Sequence, residues 1–218
     1  MKSLFKKTLV FFLALSICPI LCLSVLAVDE AYQYSDEYKS SKFYTALRSY
    51  ELTGDAGKDL AAIAQTQVGY HEGDSEADMH GNKTSGAGDF VEYNRLHGRL
   101  NGGYGYEWNV SFVIWCARHA GITETELPND INVKNLVGEF SSTGRFYQKE
   151  TGYMPNAGDL VFFFGSNTAP TRVGIITSFE DNKINTVEGN FGEAVKKRSY
   201  ESDDLNIQGY ATLREPSG

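Results

Sequence analysis

The chain has 218 residues, of which 41% are hydrophobic and 22% are charged, and this composition excludes a disordered, collagen-like or multi-span membrane protein. Its formal net charge is −8. Three of the 20 basic residues and none of the 28 acidic residues precede residue 28, so the remainder carries 17 basic residues and a net charge of −11. This acidic balance argues against nucleic acid or anionic lipid as a partner.

Residues 1–27 have the pattern of a signal peptide. A basic stretch ending at Lys7 precedes the apolar run Leu9 to Leu26, and Val25-Leu26-Ala27 places small residues where a signal peptidase needs them. The run approaches the length of a short membrane span, but Pro19 in its middle and its small-residue exit favour cleavage. We therefore expect an exported protein, secreted or at the cell surface, without stable membrane insertion after cleavage.

Two parts of the chain follow the leader. Residues 28–53 are expected to be a helix or an ordered spacer, because Ala31 to Glu51 is rich in Tyr, Ser and Lys, and the composition leaves both alternatives open. Residues 54–218 are expected to form one domain, which is long enough to bury a core. Asp55 is a plausible N-cap for a first helix, and Gly69 is expected to end it.

Further helices and then strands follow a long Gly- and Asn-rich segment at residues 70–105. The spacing of apolar residues predicts a helix from Trp108 to Gly121 and another near Val133 to Phe140 that ends at Gly144. Five short β-rich runs separated by turn residues are then predicted at Leu160 to Phe164, Arg172 to Phe179, Ile184 to Glu188, Ala194 to Tyr200 and Ile207 to Leu213. The order predicts an α+β fold with N-terminal helices packed on a C-terminal antiparallel β-meander.

Cysteine and histidine are too sparse for a disulfide or a zinc site. Cys116 is the single cysteine after the leader, so it is either a nucleophile or a buried apolar residue. The four histidines are scattered without metal-ligand spacing. Asp74-x-Glu76-x-Asp78 with Gly81 has part of a calcium-loop pattern in an incomplete register, and we interpret it as an ordinary acidic loop. No metal and no cofactor are expected.

Four segments carry a family resemblance. They are Trp108 to Ala117 (WNVSFVIWCA), Pro155 to Phe163 (PNAGDLVFF), Arg172 to Ile176 (RVGII) and Thr186 to Asn190 (TVEGN). In this order they resemble segments of CHAP domains, the cysteine, histidine-dependent amidohydrolases/peptidases that cut bacterial cell-wall peptides. The resemblance covers roughly Gly54 to Leu213, implies a papain-like fold, and fits the related NlpC/P60 family less well.

The resemblance also implies where a catalytic site would lie, and this chain departs from it. Asn109 stands at the position of the nucleophilic cysteine, and a carboxamide has no thiolate form with which to make an acyl-enzyme. Arg172 stands at the position of the histidine base, and a guanidinium stays protonated. Only the third position, Glu188 or Asn190, is retained, and these residues should face the same way because they are two apart on a strand.

The substituted positions have structural and functional interpretations. Asn109 is expected to act as an N-cap of its own helix. Arg172 is expected either to pair with Glu188 across adjacent strands or to bind a carboxylate or phosphate of a ligand. Trp108 and Tyr106 are the aromatic candidates for lining the same cleft, so the candidate ligand-binding residues are Trp108, Arg172, Glu188 and Tyr106.

Other reactive groups on the second helix receive structural interpretations. Cys116 lies two helical turns beyond Asn109, roughly 10 Å away, and is expected to be buried. Ser111 is expected to face solvent or to bond the backbone. His119 is expected to complement the C-terminal end of the helix dipole, and His71, His80 and His97 are expected at the surface.

The sequence thus favours an exported, CHAP-like pseudoenzyme. We expect a monomer with a binding or regulatory role at the bacterial envelope, whose ligand is a peptidoglycan stem peptide or an envelope protein. The alternatives are an active peptidoglycan amidase or endopeptidase with a rearranged site, and a structural or interaction protein that uses Tyr32 to Tyr50 as its contact segment.

Overall fold

The computed structural model describes residues 32–165 and 169–213, and the predicted leader lies outside them. The described residues form α1 (Asp36–Lys39), α2 (Lys42–Arg48), α3 (Ala56–Thr66), α4 (Asn109–His119) and α5 (Val133–Ser142). The strands are β1 (Phe146–Gln148), β2 (Leu160–Phe164), β3 (Pro170–Glu180), β4 (Lys183–Glu188), β5 (Lys196–Glu201) and β6 (Ile207–Ala211). Short 3-10 helices occupy Glu76–Asp78, Glu92–His97 and Lys149–Thr151. The predicted α+β class, with helices before an antiparallel sheet, is confirmed.

The six strands form one antiparallel sheet in the order β1-β6-β2-β3-β4-β5. The predicted meander therefore covers only β2 to β5, because β6 returns to pair with β2 and does not extend the edge at β5. Strand β1 was not predicted from the sequence, since three residues are too few to show alternation, and it joins the sheet through Phe146 opposite Ala211.

The N-terminal segment packs on the rest of the domain. Ser35 and Ser41 cap α1 and α2 through their side chains. Tyr38, Phe43 and Leu47 are buried in the same hydrophobic cluster as α3, α4 and the sheet. The segment is therefore helical, and it shares one core with the residues that follow it.

A buried carboxylate fastens this segment, and we call Glu92 with Tyr32 and Ser35 the Glu92 anchor. The Glu92 side chain is fully buried. Its Oε1 accepts hydrogen bonds from the Tyr32 hydroxyl at 2.8 Å and the Ser35 N–H at 3.1 Å. Its Oε2 accepts one from the Ser35 hydroxyl at 2.6 Å. Burial raises the pKa of Glu92, although these hydrogen bonds oppose the shift.

Helix α4 lies at the centre of the molecule. It is buried on all sides, and Arg118 is its single residue outside the buried class. Its buried residues include the polar Asn109, Ser111 and His119. It contacts α3, β3, β4 and the 3-10 helix Glu92–His97. The core thus fixes α4 relative to the sheet, and its N-terminus faces the beginning of β3.

Of the two predicted ends of α3, one agrees with the structure and the other differs in detail. Asp55 caps α3 by accepting from the Lys58 N–H, as predicted. However, α3 ends at Thr66, and Gly69, with φ of +91°, lies beyond it in a turn, where its N–H donates to the Val195 carbonyl just before β5. The N–H groups of Gln67 and Val68 bond the carbonyls three residues earlier, so the α-helical bonding ends before the glycine. No helix within the described part of the chain is long and apolar enough to cross a membrane.

Candidate functional site

A cleft of about 510 Å³ lies between the N-termini of α4 and α5 and the beginning of β3. Its polar lining consists of Glu107, Asn109, Asn132, Thr171, Arg172 and Asn190. Three of the four positions that the family resemblance singles out, Asn109, Arg172 and Asn190, thus come together in one cavity. The fourth, Glu188, lies beneath it in contact with Arg172.

Asn109 is the first residue of α4, and the prediction that it caps this helix is wrong. Trp108 occupies the N-cap position, and no side-chain hydrogen bond caps the helix. The physical reason is that Trp108 is anchored in the core, where its ring N–H donates to Glu72 at 2.8 Å. Asn109 is only 9% exposed, and its Oδ1 atom has no hydrogen-bond partner among the described residues.

Arg172 and Glu188 form the predicted ion pair across β3 and β4. The guanidinium Nη1 lies 3.2 Å from Glu188 Oε2, and the Glu188 side chain is 2% exposed. The hydroxyls of Thr186 and Tyr200 each donate to Glu188 Oε1 at 2.8 Å. Burial raises the pKa of Glu188, while these hydrogen bonds and the neighbouring arginines oppose the shift. Since the Arg172 side chain is still 33% exposed and lines the cleft, the pairing leaves part of its guanidinium accessible.

Asn190 does not share a strand face with Glu188, so that expectation is wrong. Strand β4 ends at Glu188, and Asn190 adopts a left-handed conformation with φ of 55°. Its Nδ2 group donates to Glu107 Oε2 at 2.9 Å and to Asp89 Oδ1 at 3.3 Å. The chain turns after Glu188, so the two side chains meet different partners.

Asp89 and Glu107 are site residues that the sequence analysis missed. Burial raises the pKa of Asp89, and the nearby negative charge of Glu107 raises it further. The Asp89 N–H donates to Glu72 Oε1 at 3.1 Å, and burial also raises the pKa of Glu72. No local signal identifies these residues, because Asp89 is 101 positions from the asparagine it contacts.

The two aromatic candidates do not line the cleft. Trp108 is fully buried in the core. The Tyr106 hydroxyl donates to the carbonyl oxygens of Asn94 at 2.6 Å and Gly98 at 3.0 Å. Both side chains support the loop before α4, because their polar groups are already bonded within the fold.

The other reactive groups on α4 lie in the core. Cys116 is fully buried, as predicted, and burial raises the pKa of its thiol well above the usual value. Ser111 is also fully buried, and its hydroxyl has no partner among the described residues, so the expectation of a solvent-facing or backbone-bonded serine is wrong. Close packing of α4 on both sides accounts for these positions. Neither group can reach a substrate in the cleft.

The histidines lie away from the cleft lining. His119 lies in the last turn of α4, where the sequence predicts a complement to the helix dipole, and it is 3% exposed. Its Nδ1 bonds the Trp115 carbonyl and its Nε2 bonds the Tyr34 hydroxyl. His97 is half-buried, and burial lowers its pKa to about 4. None of the cleft-lining residues is a histidine or a cysteine in the part of the chain that the structure describes.

The acidic loop around Glu76 is internally bridged. Lys83 Nζ lies 2.7 Å from Asp74 and 3.2 Å from Asp78, so an ammonium group holds the two carboxylates together. This agrees with its interpretation as an ordinary loop. Within residues 32–165 and 169–213, no group of three or more His, Cys, Asp or Glu side chains could hold a metal ion.

Comparisons with known proteins find similarity to solved structures alone. No protein-family model matches the chain, and no curated protein does. Among solved structures, the chain is similar to the crystal structure of Ly7917 with the hydrolyzing product of MDP, at 14% identity and a TM-score of 0.41. It is also similar to the crystal structure of Ly7917, at 13% identity and a TM-score of 0.40. The match covers 73% of this chain and 62% of Ly7917, so the chain spans less than two thirds of that protein's length. Similarity at this level carries no conclusion about the activity of this chain.

Proposed function

We propose that this protein is exported and acts as a catalytically inactive, CHAP-like binding protein at the bacterial envelope. Its ligand in this proposal is a peptidoglycan stem peptide, bound in the cleft between α4 and β3. The observation that carries the proposal is the composition of that cleft. Asn109 and Arg172 meet there, where the family resemblance implies a thiol and an imidazole.

The chemistry of these two residues argues against acyl transfer. An amide side chain provides no nucleophile at neutral pH, and a guanidinium cannot accept a proton from one. Cys116 does not replace them, because its thiol is fully buried and burial disfavours the thiolate. Glu188 pairs with Arg172 at the position where the family resemblance implies a residue that orients the base, but its partner here is a permanent cation.

The same residues are suited to binding a peptide. Asn109, Asn132 and Asn190 line the cleft, and carboxamides both donate to and accept from peptide groups. Asn132 uses its Oδ1 to cap α5, and its Nδ2 makes no hydrogen bond with the described residues. Arg172 adds a partly exposed cation for a carboxylate. These groups would recognise a short polar peptide without changing it.

One alternative is an active hydrolase with a rearranged site. The observation in its favour is Asp89, a half-buried carboxyl at the cleft edge whose pKa is raised by burial and by Glu107. A carboxyl that is protonated nearer to neutral pH can act as a general acid. This alternative predicts activity that depends on Asp89 and not on Asn109.

The third interpretation, an interaction protein that binds through Tyr32 to Tyr50, has less support. Tyr38 donates to Gln67, Tyr34 bonds His119 and Tyr32 donates to Glu92, all inside the fold. An external partner would have to replace these contacts.

Incubation with purified cell walls tests the proposal. The protein is expected to co-sediment with the walls without releasing new amino groups, and the Arg172→Ala variant is expected to co-sediment less. Lys58→Ala, at an exposed position at the start of α3, is the matched control. Release of amino groups that is lost in Asp89→Asn but kept in Asn109→Ala would establish the hydrolase alternative and refute the pseudoenzyme.

A further inference from the structure

Beside the cleft, three cationic side chains surround one phenylalanine ring. Phe191 follows Asn190, and its ring centre lies 4.3 Å from the Arg198 guanidinium, 5.1 Å from that of Arg172 and 6.0 Å from Lys196 Nζ. We call Phe191 with Arg172, Lys196 and Arg198 the cation platform. It is a concentrated positive surface on a protein whose net charge is −8.

The platform is built by the register of strand β5. Lys196 and Arg198 are two residues apart, so they lie on the same face of this edge strand, whereas Lys197 lies on the opposite face. Lys196 stands opposite Glu188 on β4, and Glu188 also pairs with Arg172. Arg172 therefore contacts this buried carboxylate, the charge of Arg198 acts on it, and Lys196 is its backbone neighbour on the next strand.

That carboxylate does not neutralise the platform. Glu188 Oε2 pairs with Arg172, and its Oε1 is occupied by two hydroxyl donors. For Lys196 and Arg198, no carboxylate oxygen lies within 4.0 Å among the residues that the structure describes. Both side chains are exposed. Glu188 attracts Arg198 without direct contact. Two exposed positive charges with no carboxylate in contact favour the binding of an anion between them.

Aromatic rings limit the conformational freedom of the Arg172 and Arg198 guanidinium groups. Arg198 also lies 5.7 Å from the Tyr200 ring, and Arg172 lies 4.7 Å from the Phe163 ring. Stacking against a ring leaves the N–H groups in the guanidinium plane able to form hydrogen bonds. Arg172 uses one of them on Glu188, and Arg198 uses one on the Tyr200 side chain, so the remaining N–H groups are those that a ligand would meet. Such N–H groups match the two oxygens of a carboxylate, and the ordering cost is already met in the free protein.

The charge of the cleft reverses on the other side of Asn190. Asn190 lines the cleft with Arg172, while its Nδ2 group holds Glu107 and Asp89. A polyanion would be repelled by these two acidic residues. A ligand with one anionic end and a neutral or cationic body fits this distribution better than inorganic phosphate or a polyphosphate does.

We infer that the cation platform is a binding site for the terminal carboxylate of a peptide whose chain runs along the cleft towards Asn109. This inference rests on the peptide-binding function proposed above and adds the direction of the peptide and the group that Arg198 and Lys196 recognise. The peptide groups would meet the carboxamides of Asn190 and Asn132, and any amino group on the ligand would lie towards Glu107.

Calorimetric titration of the full chain with two synthetic stem tetrapeptides tests the inference. One peptide ends in a free carboxylate and the other in a carboxamide. The carboxylate form is expected to bind roughly tenfold more tightly or better, because hydrogen bonds to a charged group are the stronger ones. The Arg198→Gln variant is expected to lose that advantage and to bind both peptides alike.

Lys197→Gln is the matched control, since Lys197 is one residue away and its Nζ bonds Gln65 on the opposite face. It is expected to bind both peptides as the unchanged protein does. If both peptides bind equally to the unchanged protein, the platform is not a carboxylate site, while the proposed peptide-binding function stands. If neither peptide binds, the proposed function fails and this inference with it. Arg198-dependent binding of inorganic phosphate that is tighter than that of the carboxylate peptide would overturn the assignment of the ligand.

Discussion

Two polar regions of the molecule, the Glu92 anchor and the cleft beside Asn109, satisfy their polar groups to different degrees. At the anchor, both oxygens of a fully buried carboxylate accept hydrogen bonds from Tyr32 and Ser35. In the cleft, Asn109 has a buried Oδ1 without a partner among the described residues, and Asp89 and Glu107 are neighbouring like charges.

This difference separates polar groups that stabilise the fold from polar groups that a ligand can bind. A buried polar group that is fully bonded contributes to stability and has no capacity left for another molecule. The cleft groups retain hydrogen-bonding and charge capacity at some cost to stability, as binding sites generally do. Each prediction below changes one of the two regions.

The largest expected effect is at the anchor. Glu92→Ala removes the acceptor of the Ser35 N–H and hydroxyl groups, whereas the Tyr32 hydroxyl keeps the Glu92 carbonyl oxygen at 2.9 Å. The free energy of unfolding should therefore fall by about 2–4 kcal/mol. Urea denaturation followed by circular dichroism measures this change. Glu92→Gln is the control, because it keeps one oxygen acceptor and should lose less than half as much. A loss below about 1 kcal/mol for Glu92→Ala would show that the anchor is not what fastens the N-terminal segment.

The second prediction places a thiol and an imidazole in the cleft. The double variant Asn109→Cys with Arg172→His places a thiol at the N-terminus of α4, where the helix dipole and an imidazole favour the thiolate. Its alkylation by iodoacetamide at pH 7 should be roughly a hundredfold faster than that of buried Cys116. Peptide mapping by mass spectrometry distinguishes the two thiols.

Asn109→Cys alone is the control, and its thiol should also react faster than that of Cys116, because the helix N-terminus and the Arg172 cation both favour a thiolate. If the new thiol in the double variant reacts no faster than Cys116, then the placement of the two positions in one accessible cleft is wrong.

The third prediction concerns Glu188, which belongs to both the fold and the cleft. Glu188→Ala leaves Arg172 and the Thr186 and Tyr200 hydroxyls without their acceptor, and should lower the free energy of unfolding by about 1–3 kcal/mol. Glu201→Ala, which breaks an exposed pair with Lys183, should change it by less than about 0.5 kcal/mol. Equal effects of the two substitutions in urea denaturation would mean that burial of Glu188 adds nothing to its ion pair.

The smallest effect is a pH dependence at Asp89. Its pKa is higher in the folded protein than in the unfolded chain, so the folded state binds the proton more tightly. The contribution of Asp89 to stability is therefore greatest at low pH and declines as the pH rises through the interval between the unfolded and the folded pKa.

Asp89→Asn removes this titration and keeps a residue that tolerates the left-handed backbone at φ of 56°. The variant should be as stable as the unchanged protein or slightly more so at pH 7, by less than about 1 kcal/mol, and the difference should become less favourable at pH 4. Urea denaturation at both pH values checks this, and a variant that gains stability on acidification relative to the unchanged protein would contradict it.

The bounds of several helices and strands were predictable because their sequence signals are local. Strand β2 has the predicted bounds Leu160–Phe164, and Asp55 and Gly121 mark helix ends within a residue or two of those observed. Burial of Cys116 followed from its place on an apolar helix beside Trp115. The position of β6 was not predictable, because the return from β5 to β2 depends on the order of strands and not on any local pattern.

The sequence by itself determined that an amide stands at 109 and a guanidinium at 172, the positions where the CHAP resemblance implies a nucleophile and a base, and neither group can take that role in acyl transfer. Only the tertiary structure decided what those groups contact. It moved Trp108 into the core, brought Asp89 and Glu107 to Asn190, and placed Arg198 and Lys196 around Phe191. The physical reason is that side-chain identity is carried by each residue, whereas burial, pKa shifts and charge pairing arise from residues that are distant in the chain.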